Sequence, residues 1–392
     1  MKKLIPVFAL VLILSAGFTA SASAQSDSTV FKPHWSFNGQ IFADYYYMLS
    51  ADTAPSGGKK FYYEPNSNTG GTTANTKNYQ AFDMRRVQFG ANYYYSKDIT
   101  AKVLMEHESA YVGGDVLGDS KSGFYVKEAS LTFGNWIPMA NVIFGQQAMN
   151  LFSMDEGLMG YRGVEKSILD MRGMTETGSN DLGIQAQGNF DAGKDFGYSV
   201  ALVNHNNSSK IENFRDKVIA GELYAKLLDK HIVIDVSGDD GGQPTATSGL
   251  DSGYSASNSL WKIAAAYTSK PITIGVVYAN HTKGGQTAVK SDPGGDAVES
   301  GLSVFAHGQI IPKSLNAFAR YDMFDPNTKA NDNSSGRKES FIMAGLDWIP
   351  DADVQNVHVD PNIEINSFTD KSSAGVSYEP ITVLRLTFWA KF

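Results

Sequence analysis

Cysteine is absent from this 392-residue chain, which excludes disulfides, thiolate metal sites and a lipid-modified cysteine. Beyond residue 24, no apolar run is long enough to cross a bilayer as a helix, and leucine-rich helical periods are missing. Positive charge is in deficit: 33 Lys and Arg stand against 41 Asp and Glu, a net charge of −8. A nucleic-acid partner is therefore not expected. Catalytic signatures are missing too. The seven histidines show no His-Glu-x-x-His spacing, and neither a Gly-x-Ser-x-Gly elbow nor a glycine-rich phosphate loop is found. His107 and His307 lie in strand-like segments and read as solvated or interface residues. No enzymatic activity and no cofactor are expected.

What the chain does contain begins with an export address. Lys2 and Lys3 precede an apolar stretch from Leu4 to Phe18, and Ala22-Ser23-Ala24 supplies the small residues a signal peptidase reads. Residues 1–24 are expected to be removed, which takes the net charge from −8 to −10 by loss of Lys2 and Lys3. Residues 25–392 are then one domain. Tyr and Phe are abundant (19 and 22), as is Gly (38), while mean hydropathy is slightly negative at −0.24. That mixture suits a membrane barrel, whose strands hide every second side chain in lipid.

Alternation supports this. Val87, Phe89, Ala91, Tyr93 and Tyr95 fall on one face of a strand, with Arg86, Gln88, Gly90 and Asn92 on the other. After a tight Ser96-Lys97-Asp98 turn, Ile99, Ala101, Val103 and Met105 oppose Thr100, Lys102, Glu106 and Glu108. The same pattern predicts strands near 35–48, 83–95, 99–111, 124–133, 141–147, 179–190, 196–204, 218–228, 231–237, 259–268, 272–281, 299–310, 314–323, 339–348, 354–366 and 379–392. Long connections at 49–82, 112–123, 148–178, 205–217, 238–258, 282–298, 324–338 and 367–378 alternate with short turns. This is an all-β reading: a transmembrane antiparallel β-barrel of about sixteen strands in a bacterial outer membrane, with short periplasmic turns and long extracellular loops.

A soluble β-sandwich also has one apolar and one polar face. It does not need strictly alternating loop lengths, charge on the inner face of many strands, or aromatics near strand ends such as Tyr45, Tyr47, Tyr93, Tyr95, Tyr267, Tyr278 and Trp348. The last strand, Ile381 to Phe392, places Leu384, Leu386, Phe388, Ala390 and Phe392 on one face, with Arg385, Thr387 and Lys391 on the other. A closed barrel pairs such a strand with its first.

Several segments resemble the phosphate-selective porin O and P family. They are Arg85-Arg86-Val87-Gln88-Phe89-Gly90 with its Ser96-Lys97-Asp98 turn, Val126 to Leu131 running into Phe144-Gly145-Gln146-Gln147, Val164-Glu165-Lys166-Ser167 followed by Arg172 and Asp181-Leu182-Gly183-Ile184, and the terminal strand. The resemblance implies a sixteen-stranded barrel, a homotrimer in outer-membrane lipid, and a third extracellular loop folded inward.

On the count above, 148–178 is the third long loop. It carries Asp155, Glu156, Arg162, Glu165, Lys166, Asp170, Arg172 and Glu176. If it enters the lumen, its charges face Arg86, Lys102, Glu106, Asp181, Lys226, Lys262, Arg320, Asp322 and Arg385 on the wall and set a field at the narrowest point. An ordinary extracellular loop is the alternative. Glu106 and Glu108 share one face, where solvated pore charges explain them better than acid–base chemistry. Segments 239–242, 292–296 and 325–333 offer oxygen ligands for calcium, but turn chemistry also accounts for them. The function expected is passive diffusion of small hydrophilic solutes or ions. A selective anion or phosphate channel and a structural or adhesive barrel with a closed lumen are the alternatives.

Overall fold

A computed structural model describes residues 31–50, 77–108, 123–205, 212, 217–242, 257–283, 296–330, 336–369, 371 and 379–392. The expected signal segment, residues 1–24, lies outside the described residues, as do much of the long connections. Sixteen antiparallel strands form one closed sheet. They are β1 (His34–Ser50), β2 (Gln80–Tyr94), β3 (Ile99–Glu108), β4 (Tyr125–Ile137), β5 (Ala140–Ala148), β6 (Asn180–Asn189), β7 (Phe196–Val203), β8 (Val218–Leu227), β9 (Ile232–Gly242), β10 (Ser257–Thr268), β11 (Ile272–Lys283), β12 (Ala297–Ile311), β13 (Leu315–Asp325), β14 (Lys338–Trp348), β15 (Val357–Thr369) and β16 (Ile381–Lys391). Each pairs with its sequence neighbours, and β16 closes on β1.

The alternating pattern does the sorting. Phe37, Phe89, Val103, Leu131, Phe144, Ile184, Leu384 and Phe388 are exposed on the outside, whereas Asp44, Arg86, Glu106, Lys262, Arg320 and Arg385 are buried within. A closed barrel has no free edge, so strand backbone groups pair with both neighbouring strands except where a bulge interrupts the ladder. The closing ladder runs from Gln40↔Lys391 to Ser50↔Thr382, and two hydrogen bonds extend it, Gly39 N–H to the Phe392 carbonyl at 2.8 Å and Phe392 N–H to the Gly39 carbonyl at 3.0 Å. Ser96 Oγ holds the β2–β3 turn by accepting from the N–H groups of Asp98 (3.2 Å) and Ile99 (3.0 Å).

Two departures from simple alternation matter. Between the pairs Phe42↔Arg86 and Asp44↔Asp83, β2 carries one residue more than β1. This bulge turns both Arg85 and Arg86 inward. In addition, β9 runs through Asp239-Asp240-Gly241-Gly242, which the sequence reading assigns to a loop and a candidate calcium site. These residues pair with β8 and β10 instead. A Cβ on Gly238 would lie 2.4 Å from the Leu260 carbonyl, so glycine here permits close strand approach.

The connection between β5 and β6 does not stay outside. It forms α1 (Asn150–Met159) and α2 (Ile168–Arg172), and both lie in the lumen. Gly160 and Gly173 end the helices in the left-handed conformation, at φ 79° and 60°. Ser167 Oγ caps α2 by accepting from Asp170 N–H. Met149, Leu151, Phe152, Met159, Ile168, Leu169 and Met174 pack on Ala201, Val203, Val218, Ala220, Leu260, Ala264, Val277, Ala279, Phe305 and Phe324 from the wall. On those strands the inner face is apolar where the loop packs and charged beside it, at Lys262, Arg320 and Asp322.

Candidate functional site: the charged lumen and its inward loop

Strand phase and the loop together bring charges of both signs into the lumen. On β2 and β3, Arg86 contacts Glu106 at 3.3 Å and Glu108 at 2.9 Å. Lys127 of β4 reaches Glu106 at 2.8 Å, and Gln88 and Tyr125 donate hydrogen bonds to the same carboxylate. Lys166 of the loop reaches Glu108 at 3.1 Å, tying the loop to this corner. Lys102 is further toward the short-turn end and pairs with Glu128 at 2.7 Å.

The opposite side of the loop is fixed by Lys262. Its ammonium, fully buried, contacts Asp155 of α1 at 2.6 Å and Asp235 of β9 at 2.9 Å, and donates to the Leu151 carbonyl at 2.7 Å. Burial pushes the Asp155 carboxyl up, against the pull of Lys262, to about 6. Within the loop, Arg162 bridges Glu156 (2.7 Å) and Asp170 (3.0 Å). Burial raises Asp170, but Lys166 and Arg162 outweigh it and leave the carboxyl below its ordinary value.

Four arginines complete the anchoring. Arg172 pairs with Glu339 of β14. Arg320 pairs with Asp322 and donates to the Lys166 carbonyl at 2.5 Å. Arg385 meets Glu364 and Glu165, the latter at 3.5 Å. Arg85, which the alternation pattern passes over, pairs with Asp44 at 2.7 Å and donates to the Val164 and Gly163 carbonyls at 2.7 and 2.5 Å. The adjacent Arg85-Arg86 pair was its sequence signal, since two successive arginines cannot share one face of a regular strand.

Of the remaining sequence-derived residues, Asp181 is buried on β6 and accepts from Leu182 N–H at 2.7 Å. Lys226 lies near the short-turn end with its ammonium 5.2 Å from the Tyr224 ring centroid. Together with Glu222, Asn150 and Ser153 it lines a cavity of about 330 Å³. His307 is not simply solvated: its Nε2 is 3.0 Å from the Leu158 carbonyl, and its ring meets Tyr161 edge-on. His281 also belongs to the loop's support. It lies between Glu176 (2.8 Å) and Glu299 (2.9 Å), and His205 approaches Glu176 from the other side at 3.1 Å. Burial raises Glu176, but the hydrogen bonds from His205 and His281 outweigh it and hold the carboxyl at about 2. His205 is correspondingly raised: burial opposes protonation and Glu176 overcomes it. At the loop end of β13, Asp325 Oδ1 accepts from Asn327 N–H at 3.0 Å, ordinary turn chemistry in a segment that also suggested calcium.

An apolar exterior, a charged interior and a loop folded through the lumen define a closed sixteen-strand barrel of the outer-membrane type. No family model and no curated protein matches the chain. Solved structures do. An anion-selective porin from Comamonas acidovorans is similar over 92% of this chain and 100% of its own, with a TM-score of 0.62 and 10% identity. The outer membrane channel DcaP of Acinetobacter baumannii is similar over 92% and 97%, with a TM-score of 0.60 and 13% identity. OmpT of Vibrio cholerae, an outer membrane protein also solved in a trimer form, is similar over 93% and 99%, with a TM-score of 0.57 and 13% identity. At such identities the likeness is one of fold.

Proposed function

We propose that this chain is an outer-membrane porin, a passive aqueous channel for small hydrophilic solutes and ions whose narrowest part is set by the loop between β5 and β6. The observation that carries the reading is the inward loop itself, fixed by Lys166–Glu108, Lys262–Asp155, Arg172–Glu339 and Arg385–Glu165 around a charged wall. A sixteen-strand barrel is wide enough to hold water beside such a loop. The same reading includes removal of residues 1–24 on export, outer-membrane lipid as the surroundings, a homotrimer and no catalytic activity. Of the structures similar in fold, one is described as an anion-selective porin, one as an outer membrane channel and one, an outer membrane protein, as a trimer form.

The cations at the constriction are engaged by carboxylates, which favours weak selectivity over a phosphate-selective channel. Purified protein in a planar bilayer is expected to give stable, stepwise conductance with a small reversal potential in a salt gradient. Absence of conductance would favour an adhesive barrel. Strong anion preference with block by phosphate would favour the selective channel.

A further inference from the structure

The short-turn end of β14 and β15 holds a side-chain group that takes no part in fixing the loop. The pairs Gly345↔Asn362 and Trp348↔Val359 set Asp347 opposite Asp360 on the inner face. Both are buried, at 3% and 0% exposure. Like charges directly opposite each other on a sheet repel, and removal from water makes this worse. Asn316 Nδ2 donates to Asp347 Oδ2 at 2.8 Å, and Trp389 Nε1 donates to Asp360 Oδ2 at 2.7 Å. Asp360 Oδ1 receives no donor, and the Asp347 carboxyl lies within hydrogen-bonding reach of Asp360.

His358 lies beside the pair. Its Nε2 is 3.1 Å from the Gln355 carbonyl, and its Nδ1 is 2.7 Å from Asp347 Oδ1. A carbonyl only accepts, so Nε2 carries the hydrogen. As an imidazolium the ring donates Nδ1–H to Asp347; in the neutral ring Nδ1 presents a lone pair to that carboxylate oxygen, and a cation between them is then called for. A backbone carbonyl that fixes the far nitrogen is also how a metal-ligating imidazole is held in its tautomer. The ring is further clamped by Trp389, stacked at 3.6 Å between centroids and 6° between planes.

We propose that Asp347, His358 and Asp360 bind one divalent cation of the Zn²⁺ class, using Nδ1 and one oxygen from each carboxylate. The three ligand atoms lie within 4.8 Å of one another. Bonds of about 2.0–2.2 Å to a common ion need only side-chain rotation from there. One imidazole with two carboxylates suits Zn²⁺ better than Ca²⁺ or Mg²⁺, which prefer all-oxygen sets. An adjoining cavity of about 270 Å³, lined by Asp347, His358, Trp389, Asn316 and Tyr161, supplies an entry path and water for the remaining positions. The cation neutralises the facing acids and ties β14 to β15.

The test uses the whole barrel in detergent, stripped with EDTA and titrated with Zn²⁺ at pH 7 by calorimetry, independently of conductance. One Zn²⁺ per chain is expected, with X-ray absorption showing a nitrogen and oxygen shell. Asp360→Asn and His358→Gln are each expected to weaken binding by about tenfold or more. His231→Gln, outside the group, is expected to leave it unchanged. Circular dichroism of each variant checks that the barrel has formed, and Asp347→Asn serves if either of the first two fails to fold. Absence of saturable binding, or binding unaltered in folded Asp360→Asn, overturns the proposal. Proton uptake by the group without Zn²⁺ binding also overturns it, since a shared proton then supplies the positive charge.

Discussion

Lys262 illustrates how much of the loop's position rests on single residues. Its ammonium stands between Asp155 and Asp235 with no exposed surface. Removing one partner from a buried ion pair leaves the other desolvated and uncompensated, at a cost of about 3–5 kcal/mol. Lys262→Met is therefore expected to lower the unfolding free energy of the lipid-reconstituted barrel by that amount, read from urea denaturation. A loss under about 1 kcal/mol would mean that water reaches these carboxylates and that the pair is not an anchor. Glu176 carries a different dependence. It faces His205, His281 and Asn258, with Asp239 accepting its N–H, Glu299 and Lys283 behind His281, and Glu212 beside His205. Because its carboxyl is depressed from 4.5 to about 2, its stabilisation is present above 4.5 and lost as pH falls toward 2. His205 is raised above 6.5, so its stabilisation is full below 6.5 and lost as pH rises through the raised value. The tether is thus strongest from about 4.5 to 6.5. Hydrogen-exchange protection of residues 174–178 is expected to peak there, and His205→Ala to reduce the alkaline fall, with His281 still on Glu176; a flat profile in wild type would contradict the tether.

At the scale of elements, the loop between β5 and β6 separates what was legible in the sequence from what was not. Strands announced themselves because a barrel wall imposes a period of two, and β7, β8, β14 and β16 end within a few residues of their expected limits. Inner and outer faces followed from the same period, so Lys262, Arg320 and Arg385 could be placed inside. Arg85 was missed because a bulge shifts the phase of β2 between two residues. The helices, and the apolar wall of Ala201, Ala220, Ala264 and Ala279 on which they pack, were missed for another reason. An inward alanine has meaning only once its occupant is known, and alternation does not report what fills a lumen. His281 and His307 belong with these, since each acquires its role from the loop residue it meets. If this loop is the constriction, deletion of 155–172 removes α2, most of the ion pairs and part of α1 from the passage. Single-channel conductance is then expected to rise by at least about twofold if the loop dominates the resistance. Unchanged conductance in a folded deletion variant would mean that ions pass elsewhere or that the passage is limited at another level.

For the whole molecule, selectivity follows from how lumen charges compensate one another rather than from their number. Arg86, Lys127 and Lys166 converge on Glu106 and Glu108. A permeating anion therefore meets three cations and two carboxylates together, and the field largely cancels. Removing the acids leaves the cations in place. In water-like surroundings, a unit charge at roughly 7 Å shifts an ion's energy by about 0.6 kcal/mol, so losing two carboxylates favours a monovalent anion by about 1.2 kcal/mol, or about sevenfold in local concentration. Cations are disfavoured to the same degree. The double variant Glu106→Gln/Glu108→Gln keeps side-chain size and removes only charge. Its reversal potential in a potassium chloride gradient is expected to move toward chloride, with the shift shrinking as salt is raised toward 1 M, where screening acts within about 3 Å. Phosphate, with higher charge, is expected to dwell longer and to reduce chloride current in the variant more than in wild type. An unaltered reversal potential would place the ion path away from the corner formed by β2, β3, β4 and Lys166. It would also separate the loop's anchoring from selectivity, since Lys166 loses its wall partner in the same variant.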